Sequence, residues 1–298
     1  FRSPTVGYAL VLVSSLSAIL YHAIKIVPYL PIRSNKGITH STDMVVALSV
    51  NVKQANQSYE KLIALVKEVK PDILLTMETN KKWEEQLNTI EDMFLTSIKV
   101  PMENRYGIHF YTNLEVKNHS VHYLISEEHP SINATLVDKR GVEFIFWGIH
   151  PPPPSPTEKA TSRQKDAELM KVSEHVRKSK EPVIVTGDFN NVCWSKSSML
   201  FRKSSRLKDA RIHRGLYSTF PANYWLLRFP IDLLFHSEAI SISEIKVLPS
   251  IDSDHLPLLS KFYVRNLNEK NVDLGDEMKE TSERIIKEGK EAARVENE

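Results

Sequence analysis

The chain has 298 residues, 41% of them hydrophobic and 26% charged, which is ordinary for a globular protein and excludes a largely disordered one. Its formal net charge of +2 is too small to attract a polyanion over long range, so composition gives a nucleic-acid partner no support. The single cysteine, Cys193, excludes an intrachain disulfide, which fits a reducing compartment and equally an exported protein without disulfides.

The N-terminal segment is the most apolar part of the chain. Residues 6–24 read VGYALVLVSSLSAILYHAI, and about 20 uncharged, mostly apolar residues span a bilayer as a helix. Pro28 and Pro31 end the segment. We expect residues 1–32 to form a transmembrane anchor; a buried amphipathic helix and the hydrophobic part of a signal peptide are the alternatives, although no small-residue cleavage site follows. Basic residues lie on both sides and leave the orientation open.

A strand–helix–strand unit is predicted after a polar linker at residues 33–42. Residues 44–50 (MVVALSV) and 73–77 (ILLTM) are short apolar runs, typical of strands buried on both faces. Between them, residues 58–69 place apolar side chains at helical spacing, and Pro71 ends the helix.

The middle of the chain predicts antiparallel strands, because short runs of β-forming residues alternate with turn residues. These runs cover residues 106–112, 115–124, 132–137 and 142–149. Next come a four-proline loop, a long helix, a buried strand and three further strands, at 151–154, 158–178, 183–186, 226–235, 241–247 and 257–264. The segment 265–298 is rich in Glu and Lys and predicts a solvated helix or a frayed tail, to which we assign no chemistry.

Polar side chains stand at the ends of the predicted buried strands. They are Asn51, Glu78, His150, Asp188, Asn190 and Asp232, with Asp254 and His255 in the loop before the last strand. In α/β sheets, ligand groups gather outside one end of the strands, where the strands hold them rigidly. Carboxylates and an amide that meet there form a hard-oxygen site, which suits Mg²⁺ or Mn²⁺ better than zinc.

Two motifs carry most of this signal. In VIVTGDFNN (183–191) a glycine permits a close turn before an acid and an amide; alone, the motif is as often a strand followed by an Asx turn. In SDHLPL (253–258) a carboxylate stands beside a histidine, a pair that alone is more often a plain loop. Asp232 could fix the tautomer of that imidazole by accepting its second N–H.

In this order, these residues resemble the endonuclease/exonuclease/phosphatase superfamily, which includes DNase I, repair nucleases, inositol polyphosphate 5-phosphatases and neutral sphingomyelinases. The matching segments are SVNV (49–52), DILLTMETN (72–80), GIHPPPP (148–154), VIVTGDFNN (183–191), IDLLF (231–235) and SDHLPL (253–258). The GIHPPPP form and the apolar N-terminus look most like the bacterial membrane-anchored members, whose catalytic domain is exported. The resemblance implies an α/β fold, a four-layer α/β sandwich of two packed mixed sheets flanked by helices, over residues 43–264.

The resemblance also implies a metal site for Mg²⁺ or Mn²⁺. Glu78 would be the principal ligand, with Asn51 and Asp254 in the same site. One position departs from the pattern: Lys53 stands where the repair nucleases have an acid, two residues after the first asparagine. This departure favours one tightly bound ion.

The remaining matched residues receive catalytic roles from the resemblance. Asp188 would orient or deprotonate the attacking water, and Asn190 would hold the scissile phosphate. His255, paired with Asp232, would contact the phosphate and stabilise transition-state charge. His150 matches a second phosphate-facing histidine that can protonate the leaving group.

The predicted function is therefore divalent-metal-dependent hydrolysis of a phosphodiester or phosphomonoester by an activated water, in a membrane-anchored protein with a periplasmic or extracellular catalytic domain. Nucleic acid, a phospholipid headgroup and a sugar phosphate remain open as substrates, and no obligate protein partner is indicated. The segment YWLLRFP (224–230) leans towards an apolar mouth or is simply a strand. The four tryptophans are interpreted as core residues, and stacking on bases or lipid is the alternative. The alternative is a catalytically silent binding or scaffold protein on the same fold, which would be expected to have lost one of the matched residues.

Overall fold

The computed structural model describes residues 4–31, 43–154, 159–265 and 276–296, so the predicted linker at 33–42 lies outside the described residues. The described helices are α1 (Pro4–Ile26), α2 (Tyr59–Val69), α3 (Lys81–Leu87), α4 (Lys159–Lys178), α5 (Lys196–Ser205) and α6 (Asp276–Glu296). The described strands are β1 (Val45–Asn51), β2 (Ile73–Met77), β3 (Thr96–Val100), β4 (Ile108–Thr112), β5 (Glu115–His122), β6 (Ser131–Val137), β7 (Glu143–Ile149), β8 (Val183–Asp188), β9 (Lys208–Asp209), β10 (Asp232–His236), β11 (Ile240–Val247) and β12 (Leu258–Val264).

The strands form two six-stranded mixed sheets. The first has the order β11-β12-β1-β2-β4-β3 and the second the order β5-β6-β7-β8-β10-β9. Only the β1–β2 and β7–β8 pairs among the described strands are parallel. With helices on the two outer faces, this arrangement confirms the predicted four-layer α/β sandwich.

Three apolar layers hold the sandwich together. Leu75 and Phe110 from the first sheet meet Phe146 and Ile184 from the second in the layer between the sheets. The outer face of the first sheet is covered by α2 and α3, and that of the second by α4 and α5. Since β1, β2 and β8 contact apolar layers on both faces, their sequences are the continuous apolar runs expected of doubly covered strands.

The N-terminal helix α1 has exposed apolar side chains along its described length. With the short turn that follows, Val6–Tyr29 is long and apolar enough to cross a membrane, a property that a signal sequence at an N-terminus shares. The hydroxyls of Ser14 and Ser17 donate to the carbonyls of Val11 and Val13, at 2.9 and 2.8 Å, so these polar groups are hydrogen-bonded within the helix itself.

The C-terminal segment corrects one expectation. The sequence predicts a solvated helix or tail, whereas α6 buries one face, including Ser282 and Ile286, against the layer around α4. The two helices approach closely at Gly289, where a Cβ would lie 2.1 Å from the Cβ of Ala167. Because small residues occupy this crossing, the two backbones can come together, and the few apolar residues of α6 suffice to dock it.

Helix α4 also carries a buried acid with a testable effect on stability. Glu168 is fully buried and accepts one hydrogen bond from the Ser131 hydroxyl at 2.9 Å, and burial raises its pKa to about 8. The folded state therefore holds a proton that the unfolded chain releases above its ordinary pKa of 4.5, so stability falls as pH rises from 4.5 through 8. Between pH 5 and pH 8 the parent should lose about 3 kcal/mol of unfolding free energy that Glu168→Gln keeps.

Urea unfolding in mild detergent at the two pH values measures this difference. The control is Glu174→Gln on the same helix, which removes a carboxylate that pairs with Lys171 at 2.9 Å and is not sealed from water. An unchanged pH dependence in Glu168→Gln would contradict the assignment.

Candidate active site

The first sheet brings three of the predicted residues to one edge. In the parallel β1–β2 pair, Asn51 lies opposite Met77, so Asn51 and the next residue of the second strand, Glu78, leave the sheet side by side. Strand β12 runs antiparallel to β1 with Leu258 opposite Ser49, which places the preceding loop, with Asp254, at the same edge.

The second sheet brings its residues to the facing edge. In the parallel β7–β8 pair, Ile149 lies opposite Gly187, so His150 and Asp188 follow side by side. Strand β10 is antiparallel to β8, and its first residue, Asp232, lies directly opposite Asp188. The predicted convergence of strand ends is therefore seen in the structure.

A buried carboxylate stands at the centre of this edge. Asp188 Oδ2 accepts a hydrogen bond from Asn51 Nδ2 at 3.0 Å and lies 3.5 Å from His255 Nε2 and 3.7 Å from His150 Nε2. Burial raises the pKa of Asp188, while the neighbouring imidazoles oppose that rise. A carboxylate with a raised pKa is a better proton acceptor near neutral pH than an exposed one.

His255 forms an imidazole–carboxylate pair with Asp232. Its Nδ1–H donates to Asp232 Oδ2 at 2.9 Å, and the Thr219 hydroxyl donates to the same oxygen. Although burial lowers the pKa of His255, the carboxylates of Asp232 and Asp188 raise it to about 10. At neutral pH the ring therefore carries a positive charge and directs an Nε2–H donor into the site.

Ser253 holds this part of the site in register. Its hydroxyl donates to the backbone carbonyl of Asn51 at 2.7 Å and accepts from the backbone N–H of His255 at 3.1 Å. The contact joins the loop before β12 to the end of β1, so His255 is fixed relative to the residues of the first sheet.

His150 is buried beside Asp188. Burial lowers the pKa of His150, so its imidazole is uncharged at neutral pH. The Tyr106 ring lies 5.4 Å from the His150 ring and 4.2 Å from the ring of His129, another buried histidine. Tyr106 thus packs against both histidine rings.

Glu78 adopts a strained backbone conformation at the mouth of the site. Its φ is +60°, in the left-handed region that costs a non-glycine residue about 1–3 kcal/mol and often marks a functional position. The carboxylate accepts from Asn51 Nδ2 at 3.0 Å and from the Gln54 backbone N–H at 3.1 Å. Two hydrogen bonds hold the half-buried carboxylate in place and leave acceptor capacity for a cation.

Lys53, the residue that departs from the family pattern, partly neutralises the carboxylate of Asp254. Lys53 Nζ lies 3.4 Å from Asp254 Oδ2, and both side chains are partly exposed. The ammonium thus stands beside the carboxylate at the position where a second acid would add negative charge. The donor set suits a single hard cation, because Glu78, Asn51 and Asp254 supply only oxygen and amide groups.

A second group of potential ligands lies deeper. The ligand atoms of Asp188, Asp232 and His255 all lie within 4.8 Å of one another. We favour the Glu78 set for a cation, because Asp232 and His255 already bind each other through Nδ1–H and a cationic imidazole repels a metal ion.

The remaining predicted residue, Asn190, is held by its own loop and by the loop that follows β7. Its backbone N–H donates to Asp188 Oδ1 at 2.8 Å, and its Nδ2 donates to the carbonyl of Pro151 at 3.0 Å. Gly187 before it has a φ of +144°, and a Cβ there would lie 2.0 Å from the carbonyl oxygen of Ile149. Only glycine therefore allows the two parallel strands to end so close together.

The structure thus brings all eight predicted residues to one edge of the sandwich. Sequence reasoning missed four neighbours: Thr219, Ser253, Tyr106 and His129. Ser253 had a signal, since it lies inside the SDHLPL motif, and Tyr106 directly precedes Gly107, where a Cβ would lie 1.7 Å from the Thr79 carbonyl oxygen. Thr219 and His129 stand in irregular segments whose sequences give no comparable signal.

Residues 48–255 match the Endonuclease/Exonuclease/phosphatase family. The chain belongs to this family. A curated relative, the UPF0294 protein plu0699 of Photorhabdus laumondii, is 36% identical over 101 residues, which are 32% of this chain. The match covers only 35% of that protein.

Solved structures show the same fold. The human Nocturnin catalytic domain aligns with a TM-score of 0.61 and 19% identity, over 76% of this chain and 96% of that one. Humanized zebrafish (D. rerio) TDP2 gives a TM-score of 0.62 and 13% identity over 75% and 100%. The mannosyl-6-phosphatase Bt3783 of Bacteroides thetaiotaomicron gives 0.56 and 22% over 74% and 99%. Membership of this family supports a phosphoesterase in general terms.

Proposed function

We propose that this protein hydrolyses a phosphodiester or phosphomonoester by attack of a water molecule, with one Mg²⁺ or Mn²⁺ ion at Glu78, Asn51 and Asp254. The observation that carries the proposal is the environment of Asp188. A buried carboxylate with a raised pKa stands between an amide and two imidazoles, at the edge where both sheets end.

Asp188 is proposed as the group that orients the water and takes its proton. Its Oδ1 is fixed by the Asn190 backbone N–H, which leaves Oδ2 as the oxygen that faces the other groups. General base catalysis of this kind contributes about 10²–10⁴-fold in rate.

His255 and Asn190 are proposed to hold the phosphate. A cationic His255, whose Nε2–H points into the site 3.5 Å from Asp188 Oδ2, stabilises the negative charge that grows on the phosphoryl oxygens, and Asp232 keeps both the proton and the ring orientation in place. The side-chain amide of Asn190 donates to the Pro151 carbonyl. It adds a second hydrogen-bond donor to the phosphate when a phosphate oxygen replaces that carbonyl as the acceptor.

His150 is proposed to face the leaving group. Its lowered pKa makes it a neutral donor at pH 7, and an anionic phosphate nearby favours the protonated form, so substrate binding supplies the condition for its role as an acid. When bound, a divalent cation would neutralise the charge that otherwise repels the nucleophile.

The apolar helix α1 is proposed as a membrane anchor that leaves the catalytic domain outside the cytoplasm. Two features support it: the length and composition of Val6–Tyr29, and the exposure of the helix's side chains along its described length. One structural neighbour, D. rerio TDP2, is described in complex with a single-strand DNA product and another as a mannosyl-6-phosphatase, which leaves the substrate of this protein open.

A hydrolysis screen tests the proposal. The full chain in mild detergent is incubated with plasmid DNA, RNA, a sugar phosphate, a sphingomyelin or glycerophospholipid dispersion and bis-p-nitrophenyl phosphate, each with Mg²⁺, Mn²⁺ or EDTA. We expect turnover of at least one substrate that EDTA abolishes. Turnover that survives EDTA contradicts the mechanism, and no turnover of any substrate by folded protein favours a silent member of the family.

The His255–Asp232 pair gives a prediction about pH dependence. Asp232→Asn removes a carboxylate that raises the pKa of His255, so the ring loses its proton at lower pH. We expect the alkaline limb of the kcat/KM profile to move to lower pH and kcat to fall by about 10²-fold. Thr219→Val is the matched control, because it removes a hydrogen bond to Asp232 and keeps the charge. An alkaline limb that stays in place in Asp232→Asn would refute the role of the pair.

A further inference from the structure

An exposed apolar loop stands beside the candidate active site. Residues 224–229 present five large apolar or aromatic side chains to solvent: Tyr224, Trp225, Leu226, Leu227 and Phe229, with Trp225 74% and Leu226 75% exposed. Other exposed large apolar side chains of the described domain, such as Leu95, are scattered singly. A contiguous apolar patch that is exposed to solvent marks a site of interaction with a protein, a membrane or a ligand.

The loop has a defined structure. The backbones of Phe220 and Phe229 bridge to each other, and Arg228 Nε donates to the carbonyl of Ala222 at 3.1 Å. Leu227 ends a short 3-10 turn. The apolar side chains are therefore presented by a fixed backbone. Residues 220–231 contain no acid, and their one charge, Arg228, is directed inward to that carbonyl.

The loop is joined to the catalytic residues. The Ala222 backbone N–H donates to the Asp254 carbonyl at 2.7 Å, and the Phe220 ring lies 4.8 Å from the His255 ring. The strand that begins at Asp232 follows the loop directly. The loop with the exposed apolar side chains is thus in direct contact with the segment that carries Asp254 and His255.

The apolar helix α1 enters the domain at the same end of the second sheet. Tyr29, three residues after the helix, is buried, its hydroxyl donates to the Cys193 carbonyl, and its ring lies 6.3 Å from that of Trp194. The His213 backbone N–H donates to the Pro28 carbonyl at 2.9 Å. Trp194 follows the site residue Asn190 closely in the chain, so the described end of the helix is docked near the catalytic edge.

We propose that the apolar loop, residues 224–229, inserts into the surface of the lipid bilayer in which α1 is anchored. A docked anchor holds the domain against the membrane, and Trp and Tyr with neighbouring leucines are the side chains that favour the membrane–water interface. The absence of acids from residues 220–231 removes repulsion from anionic headgroups. Because the loop borders His255, the substrate class is a phosphate ester in a lipid headgroup; this last clause rests on the proposed function.

A fluorescence experiment tests the insertion independently of activity. In a Cys193→Ala background, Leu226→Cys carries an NBD label on the full chain reconstituted into phosphatidylcholine–phosphatidylglycerol vesicles. Leu95→Cys is the matched control, because Leu95 is 78% exposed and lies near the opposite end of the first sheet. We expect the label at position 226 to be blue-shifted and quenched by nitroxide-labelled lipids, and the label at position 95 to show neither effect.

Two results would overturn the proposal. A label at 226 that behaves like the one at 95 leaves the loop in water. A blue shift without lipid quenching, or one that persists in detergent and grows with protein concentration, shows that a protein surface covers the loop.

A kinetic comparison tests the substrate clause. Trp225→Ser combined with Leu226→Ser should lower the rate on a vesicle-borne phosphodiester about 10-fold and leave that on soluble bis-p-nitrophenyl phosphate within twofold, while Leu95→Ser changes neither. Equal loss on both substrates contradicts the clause. If the parent hydrolyses no substrate, the proposed function fails while the fluorescence result still decides the insertion.

Discussion

Replacing Asp188 with asparagine is expected to lower kcat by about 10³-fold, because an amide of nearly the same shape cannot accept the proton of the attacking water. The structure adds a second expectation. Burial raises the pKa of Asp188, so its charge is held in the fold at a cost to stability. Asp188→Asn removes that charge, and the free energy of unfolding at neutral pH should stay level or rise.

The two results together separate a catalytic role from a structural one. Asp209→Asn is the matched control, since Asp209 is an equally buried acid of the same sheet that lies 3.8 Å from Arg211, outside the site. We expect it to lower the unfolding midpoint, because the buried guanidinium of Arg211 would lose its anionic neighbour, while kcat per folded molecule stays within twofold. Steady-state kinetics and thermal unfolding of both variants decide the matter. Asp188→Asn with more than a tenth of parental kcat would remove Asp188 from the mechanism.

The fold was predictable where local sequence and tertiary burial agree. Strands β1, β2 and β8 lie within two residues of their predicted ends, because strands buried on both faces need continuous apolar runs. Helices α3 and α5 and strand β3 were not predicted. Helix α3 is a polar heptapeptide that begins where Asn80 caps it and that buries Trp83, a contact only the folded sheet supplies.

The predicted strand over 226–235 shows where local propensity misleads. Its first half is largely apolar, yet the strand begins only at Asp232. Pro230 lacks the N–H for a ladder, and the preceding residues form a short 3-10 turn. The interpretation of Trp225 as a core residue was wrong for the same reason, while Trp83 and Trp147 are buried as predicted.

The sequence predicts which acids, amides and imidazoles form the site, but not all of the hydrogen bonds that connect them. The motif order indicates which acids, amides and imidazoles meet, because strand ends in this fold converge. It does not indicate that Thr219, thirteen residues before Asp232, donates to that carboxylate, nor that Ser253 ties His255 to the end of β1. Such contacts depend on loop conformations that no sequence period encodes.

The cation site gives the other large effect. Glu78 keeps a left-handed φ of +60° while its carboxylate is fixed by Asn51 and Gln54, an arrangement that presents its oxygens at a cost in backbone strain. Glu78→Gln should therefore weaken Mg²⁺ binding by about 10²-fold, since an amide supplies one neutral oxygen in place of a charged carboxylate. The readout is direct: calorimetric titration of Mg²⁺, or Mn²⁺ followed by paramagnetic resonance, with no substrate present.

Replacing Lys53 should have the opposite effect on the affinity for Mg²⁺. Lys53 lies 3.4 Å from Asp254 and competes electrostatically with a bound cation, so Lys53→Met should raise Mg²⁺ affinity. Because both side chains are partly exposed, the gain should be only a few-fold, about 1 kcal/mol or less. Glu103→Gln is the control. Glu103 is a nearby exposed acid that accepts a hydrogen bond from Asn80 Nδ2, and its replacement should leave the Mg²⁺ affinity unchanged. If Glu78→Gln binds Mg²⁺ as tightly as the parent, the cation lies elsewhere, and the deeper group of Asp188, Asp232 and His255 becomes the site to test.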